Sequence, residues 1–344
     1  MKRIFISILV LTSIVSYSQD NHFSQFNLTP LNMDASNTGK DGDWRAIINY
    51  KDQWRSITNP FKTFGLSIER SYSKTNKLDH FWGFGLAVFN DKAGDLNLGT
   101  FEMDLSAAYH VKIAKDQYLS SGVQVGFGQR SIDMTNAQYD NQYDGTGFDP
   151  TMASNENIVS ESYTYPDISA GVSYSMGMGN RGVNVRSNNG FDNYMINTGV
   201  GLHHIVPVEF SFNGVKEDKL GLRMVYHAWG NIPLISTKLA IQPSGFFSLQ
   251  NKANELNMGA MFRYNLVEQS KYTGWVKGVA VSVGGFYRNK DSFIASSFVE
   301  IGSWGLGVSY DVNTSGLAGG RGGLEVALRF QTPNPFGYRG TGRF

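Results

Sequence analysis

Trp304-Gly305-Leu306-Gly307-Val308-Ser309-Tyr310 sets a large apolar residue at every second position, with glycine or serine between. A strand sends successive side chains to opposite faces, so this stretch has one apolar face and one small or polar face. Leu324-Glu325-Val326-Ala327-Leu328-Arg329-Phe330 and Phe101-Glu102-Met103-Asp104-Leu105 repeat the pattern with charge on the wet side. Two-faced strands of about ten residues suit a barrel wall with lipid outside and a polar lumen inside.

Working outward, strands are expected near 43–54, 62–72, 81–90, 98–114, 117–130, 165–176, 193–204, 218–230, 235–249, 254–264, 273–288, 291–300, 303–312 and 322–331. The fold class is therefore all-β, a transmembrane antiparallel β-barrel of about fourteen strands. No window holds a 3.6-residue apolar period over three turns, so almost no helix is expected. An even count puts both ends of the sheet on the periplasmic side, with the longer loops after odd strands and facing outside. The longest connection, 131–164, follows strand five and agrees. The tight turn Ala114-Lys115-Asp116 follows strand four and agrees as well. The segment 177–192 is long yet follows strand six. Either it is an unusual loop or the count slips by one there.

Composition points the same way. There are 39 Gly, 17 Tyr and 23 Phe, and charged residues make up 17%, against about 25% for a soluble domain. The mean hydropathy of −0.26 is no objection, because lumen-facing residues dilute the average. The absence of Cys excludes disulfides and thiolate chemistry. At the N-terminus, Lys2-Arg3 precedes the apolar run Ile4 to Val15, and Ser16-Tyr17-Ser18 supplies small residues at −3 and −1. This reads as a signal peptide, residues 1–18, cleaved before Gln19, since the run is too short to span a bilayer. Residues 19–344 then form one barrel domain. Cleavage moves the formal charge from +1 to −1, with 28 basic and 29 acidic residues left. No basic excess points to nucleic acid.

Motifs with chemical spelling are weak. Gly177-Met178-Gly179-Asn180-Arg181-Gly182 follows a strand but lacks the helix a dinucleotide needs. Asp140-Asn141-Gln142-Tyr143-Asp144-Gly145 grazes a calcium loop, but Gln142 and Thr151 stand at ligand positions. His203 and His204 are adjacent on a strand, so they should face opposite sides and share no metal. Gly65-Leu66-Ser67-Ile68-Glu69 and Gly171-Val172-Ser173-Tyr174-Ser175 lie inside strands, with no sharp turn for a nucleophile. No catalytic set, cofactor or metal is expected.

Other residues suit a membrane wall. Trp44, Trp54, Trp82, Trp229, Trp275 and Trp304 sit near strand ends and read as interfacial girdles. Arg45, Arg70, Arg130, Arg223, Arg263, Arg288 and Arg329 fall within strands. They should face the lumen and pair with Glu69, Glu102, Asp104, Glu300 or Glu325, because Arg at the lipid midplane costs about 2–4 kcal/mol. His22, Phe23, Gln25 and Phe26 precede the first strand, and their aromatics could dock in the lumen or at the periplasmic mouth. Tyr139, Tyr143 and Phe148 in loop 131–164, with Phe210 and Phe212 in the partly apolar 205–217, are candidate partner contacts.

One family shares these features in order. The chain carries Asp20-Asn21-His22-Phe23-Ser24-Gln25-Phe26, Pro30, Gly39, Trp44-Arg45, Tyr50, Gln53-Trp54 and Pro60-Phe61-Lys62-Thr63. Then come Asp91-Lys92-Ala93-Gly94, Gln142-Tyr143, Gly147-Phe148-Asp149-Pro150 with Glu156, Pro166-Asp167-Ile168-Ser169-Ala170-Gly171, His204 with Pro207, and Pro243-Ser244. Tyr287-Arg288-Asn289-Lys290-Asp291, Ser309-Tyr310-Asp311, Leu317-Ala318 and Gly322-Gly323-Leu324-Glu325 close the series. In this order the chain resembles the PorP/SprF outer-membrane proteins of Bacteroidetes-type bacteria over nearly all of its mature length. It departs at Asn37-Thr38, where that family has Pro-Ala, and in the tail 331–344. The resemblance implies a role in type IX secretion and gliding motility at the cell outer membrane. Its implied partners are other type IX components, outer-membrane lipid and a large secreted adhesin bearing a C-terminal sorting domain. It implies no enzyme. A transport barrel for small solutes is the alternative, and a lipid-acting barrel enzyme is a third reading.

Overall fold

The computed structural model describes residues 22–332, apart from 54–59, 74–78, 95, 115, 135–136, 156–160, 178–193, 211, 213–217, 235–236, 268–277 and 315–321. The signal-peptide reading, Trp54, Trp275, most of the 177–182 glycine motif and the tail beyond 332 lie outside them. The described residues form sixteen strands: β1 (Trp44–Gln53), β2 (Phe61–Tyr72), β3 (His80–Ala93), β4 (Leu98–Ala114), β5 (Gln117–Ser131), β6 (Ser162–Met176), β7 (Met195–His203), β8 (Val208–Phe210), β9 (Asp218–Leu220), β10 (Arg223–Pro233), β11 (Leu239–Gln250), β12 (Ala253–Val267), β13 (Val279–Arg288), β14 (Ser292–Ile301), β15 (Trp304–Asn313) and β16 (Gly323–Gln331). Fourteen close an antiparallel barrel in chain order, with β7 next to β10, while β8 and β9 make a separate two-stranded sheet.

Closure comes from β1 pairing with β16, from Arg45 opposite Gln331 to Asp52 opposite Leu324. No sheet edge is then left to meet lipid, where an unpaired peptide group costs several kcal/mol. The two ends of the sheet meet at one pole, where Thr332 N donates to Trp44 O at 2.9 Å. The opposite pole carries the connections 132–161 and 204–222. β6 ends and β7 begins at the terminal pole, with Met176 paired to Ile196, so the strand count does not slip there.

The expected strand 218–230 is two elements. After β9 the chain crosses the 251–252 turn at Gly221, where a Cβ would lie 1.8 Å from Asn251 Oδ1. It enters the wall only at Arg223. Within β11, Pro243 keeps its register with Ala260 of β12. On the other side the pairing with β10 breaks between Trp229–Ser244 and Ile232–Ile241, as a residue without an N–H requires.

The outer face carries Ile48, Leu105, Val123, Val125, Phe262, Val283 and Leu306, all exposed. Trp44, Trp82 and Trp304 stand outward near the starts of β1, β3 and β15, beside Tyr72 at the end of β2. They form an interfacial ring at the terminal pole. Trp229 departs from the girdle reading. It sits two residues after buried His227 and so shares its inward face, the rings stacking at 4.5 Å. Arg70 departs from the lumen reading. Its neighbour Glu69 is buried inside, so alternation turns Arg70 outward, over the Trp44 ring at 4.8 Å.

Candidate functional site: the filled lumen and its mouth

Polar residues point inward from every wall, and they meet a segment of the same chain. Residues 22–43 run inside the barrel from the loop pole to the terminal pole through a 3-10 turn (Phe26–Leu28), a four-residue helix (Pro30–Met33) and a second 3-10 turn (Ala35–Asn37). Pro30 opens the helix, where its missing N–H is no loss. Asp34 ends it and caps the next turn by accepting from Ser36 N at 2.7 Å.

At the loop pole the Glu325 carboxylate accepts from Ser24 N at 2.7 Å and Gln25 N at 3.0 Å. Ser24 Oγ donates to Asp311 Oδ2 at 2.6 Å and accepts from Arg288 Nη2 at 2.9 Å. Lys51 Nζ donates to His22 O at 3.1 Å. His22 Nδ1 lies 3.4 Å from Glu255. Burial, then the charges of Arg288, Lys51 and Arg223, hold the imidazole well below its ordinary pKa.

Midway, Phe26 is 1% exposed and packs edge-on to Phe246 and Phe286, at 5.0 and 5.6 Å between centroids. Phe23 meets Phe89 at 5.6 Å. Buried Asp34 reaches His227 Nε2 at 2.9 Å.

At the terminal pole, buried Lys40 donates to Ser173 Oγ at 2.7 Å. Gly39 N donates to Glu69 Oε2 at 2.9 Å, and Arg45 grips Glu69 through Nε and Nη2 at 2.9 and 2.8 Å. His110 Nε2 faces Thr38 O at 2.9 Å. A carbonyl only accepts, so Nε2 carries the proton and Nδ1 accepts from Ser120 Oγ at 2.8 Å. The wall makes room by lacking side chains. A Cβ on Gly83 would lie 1.9 Å from Thr38 O, and one on Gly122 would lie 2.4 Å from Ala35 O.

The remaining arginines use partners only partly legible in the sequence. Arg263 and Arg329 share Glu300, at 2.8 and 2.6 Å. Arg288 turns to Asp311, Asp291 and Glu255. Glu325 serves the inner segment's backbone. Arg223 donates to Asn32 Oδ1 at 3.3 Å. His203 and His204 break the opposite-face expectation. His204 lies past the end of β7 with φ +55°, and this left-handed turn swings it inward beside His203. His204 Nδ1 then meets Asp167 at 2.9 Å, while His203 Nε2 donates to Met33 O at 3.3 Å.

Outside the lumen, the loop after β5 holds a compact lobe. A 3-10 turn spans Asp140–Gln142, Tyr143 bridges Phe148, and their rings lie 5.7 Å apart. Tyr143 is 52% exposed. Tyr139 and Phe148 are half-buried. Asp144 Oδ1 accepts from Thr146 Oγ1, Thr146 N and Gly147 N, which pulls its carboxyl down to about 2. The carboxylate of the calcium-like stretch thus serves its own loop. Phe210 lies in β8, whose backbone pairs with β9. Half-buried Phe212 packs edge-on to Tyr163 at 5.5 Å.

A family model described as type IX secretion system membrane protein PorP/SprF matches residues 15–330. No curated protein matches the chain significantly. Among solved structures, CdiB from Acinetobacter baumannii is similar with a TM-score of 0.42 and 6% identity over 84% of this chain, which spans 60% of CdiB. An outer-membrane channel from Pseudomonas putida F1 aligns at TM-score 0.39 and 10% identity, covering 84% of this chain and 94% of that one. The translocator domain of the autotransporter NalP from Neisseria meningitidis aligns at 0.34 and 10% identity, over 88% and 92% of the two chains.

Proposed function

The chain belongs to the PorP/SprF family of type IX secretion system membrane proteins, and from that premise we propose that it binds a large secreted adhesin through the adhesin's C-terminal domain. It would thereby help secrete or anchor the adhesin at the cell surface. Its place is the outer membrane, where a closed strand barrel with an apolar belt is stable without helical spans. The loop pole faces outside, as the rule of short periplasmic turns and longer outer loops has it for most connections. Other components of the type IX apparatus are its neighbours, and the role is one of binding rather than catalysis.

The observation that carries this reading is the lobe 137–155. It presents an exposed aromatic, Tyr143, from a folded loop whose polar groups are satisfied internally. Aromatic residues on a rigid support contribute much to protein contacts, because they bury large area for little lost side-chain freedom. Phe148 packs against Tyr143, and we take Tyr139, Phe210 and Phe212 as further candidate partner contacts. The inner segment 22–43 favours a binding barrel over a solute channel, since it occupies the space a solute would cross.

The test replaces residues 138–154, inside the ends of β5 and β6, by a short Gly-Ser linker. Heat-modifiable migration verifies that the barrel still folds. Adhesin retained at the surface should fall to background, and affinity capture of the tagged wild type from solubilised outer membranes should recover the adhesin or its C-terminal fragment. Wild-type retention by the folded deletion variant would exclude the lobe.

A further inference from the structure

Beside the inner segment, towards the loop pole, the lumen holds a cavity of about 250 Å³. Phe23, Thr29, Leu31 and Asn32 of the inner segment line one side of it, and inward residues of β1 to β7 and β10 line the rest. Sites for drug-sized ligands run about 300–1,000 Å³, so the occupant is a fragment, such as one side chain with its adjoining backbone.

The lining carries both signs of charge. Arg130, Arg223, His203 and His204 line it, and so do four carboxylates, Asp91, Glu102, Asp104 and Asp167. Three of these carboxylates have partners on the wall: Thr63 Oγ1 for Asp91, the Tyr165 hydroxyl for Glu102, and His204 for Asp167. Asp104 makes no hydrogen bond or ion pair among the described residues. It stands in one register row with Gly126 and Asp167. Because Gly126 has no side chain, the Asp104 carboxylate leans over it, with Oδ1 only 2.2 Å from where a Cβ would be. The wall thus holds Asp104 and Asp167 facing each other across a bare strand.

A second, independent feature faces the same space. Asn49 on β1 lines the cavity and is 2% exposed, yet its Nδ2 has no hydrogen-bond partner. A buried amide donor without an acceptor is costly, and native interiors seldom leave one so. Asn49 shares a register row with Gly65, Phe89 and Glu102. Three strand spacings separate it from Glu102 and four from the Gly126 strand over which Asp104 and Asp167 face each other, about 14 and about 19 Å along the curved sheet and less across the lumen. A ligand that satisfies both sides carries a cation at one end and a carbonyl oxygen at the other. Phe23, Leu31 and Phe89 would contact the apolar stem between them.

We propose that this cavity binds an ammonium or guanidinium group attached to an amide, that is, a lysine or arginine residue of a polypeptide or a small amino-acid amide. The cation sits between Asp104 and Asp167, and Asn49 Nδ2 donates to the amide carbonyl. Paired cation and carboxylate in a dry site form strong charge-assisted hydrogen bonds. The site stands apart from the adhesin-binding lobe and does not depend on that role.

The test is calorimetric titration of the full-length barrel in detergent with acetyl-Gly-Lys-Gly-amide, acetyl-Gly-Gln-Gly-amide and free lysine amide. The lysine peptide should bind at least ~10-fold tighter than the glutamine peptide, the size of one charge-assisted bond. Asp104→Asn, folded by heat-modifiable migration, should bring the two peptides within about twofold, since only the charge is removed. Asn49→Ala should weaken both peptides alike and leave their ratio intact. Lysine amide binding as tightly as the peptide assigns the site to small amines, and binding of the peptide alone assigns it to polypeptide. Equal affinity for the two peptides in the wild type, an unchanged ratio in Asp104→Asn, or no binding of any probe at 10 mM (roughly the weak limit of specific binding) would overturn the proposal.

Discussion

Glu325 sits in an ordinary amphipathic strand, and its alternation says only that it faces the lumen. The fold turns it into an anchor for two backbone donors, Ser24 N and Gln25 N, three hundred residues away in the chain. Replacing Glu325 by Ala leaves both donors buried without an acceptor, at a cost of roughly 1–3 kcal/mol each. The amides of Ser24 and Gln25 should then exchange with deuterium at least ~10-fold faster, since each 1.4 kcal/mol of protection is a factor of ten. Unchanged exchange would show that the first residues of the segment are held by other contacts. His204 teaches a related lesson. Sequence alternation put it opposite His203, and one left-handed residue past the strand end brought both rings to the same cavity.

At the scale of an element, β4, β5 and β6 are long strands whose inner faces alternate small and polar residues, and the inner segment rests on that texture. Gly122 of β5 is one such seat, where a Cβ would lie 2.4 Å from Ala35 O. A Gly122→Val barrel should fold, because valine favours strands, yet it cannot accept the 35–38 turn in place. Limited proteolysis should cleave that variant within 22–43 under conditions that leave the wild type intact. Resistance equal to wild type would mean that the wall shifts to make room. Strand periodicity located nearly all of the barrel wall, because each strand carries its own signal. It failed at 218–230, where a short outer hairpin and a wall strand follow each other with the same alternation and differ only in which neighbours they pair with. It also misassigned Trp229 and Arg70, whose faces follow from strand phase rather than residue type.

For the whole molecule, closure of the wall and occupancy of the lumen act together. Fourteen strands alone would leave room for solute passage or filling, and residues 22–43 take that room. Deleting residues 22–41 while keeping residues 1–21 should give a folded barrel that swells liposomes with small sugars, whereas the wild type should not. Swelling by the wild type at the same rate would show that the segment does not seal the lumen. The sequence by itself determined the class of fold, the strand count and the membrane setting. Period-two alternation depends only on neighbouring residues and survives in any window. It also marked Tyr143, Phe148 and the aromatic stretch 22–26 as side chains needing a partner. Only the tertiary structure decided which distant groups meet: Ser24 with Glu325, Asp34 with His227, and Asp104 across a bare glycine from Asp167. Those meetings depend on strand register and on the path of the inner segment, and both are set by closure of the whole barrel rather than by any local run of residues.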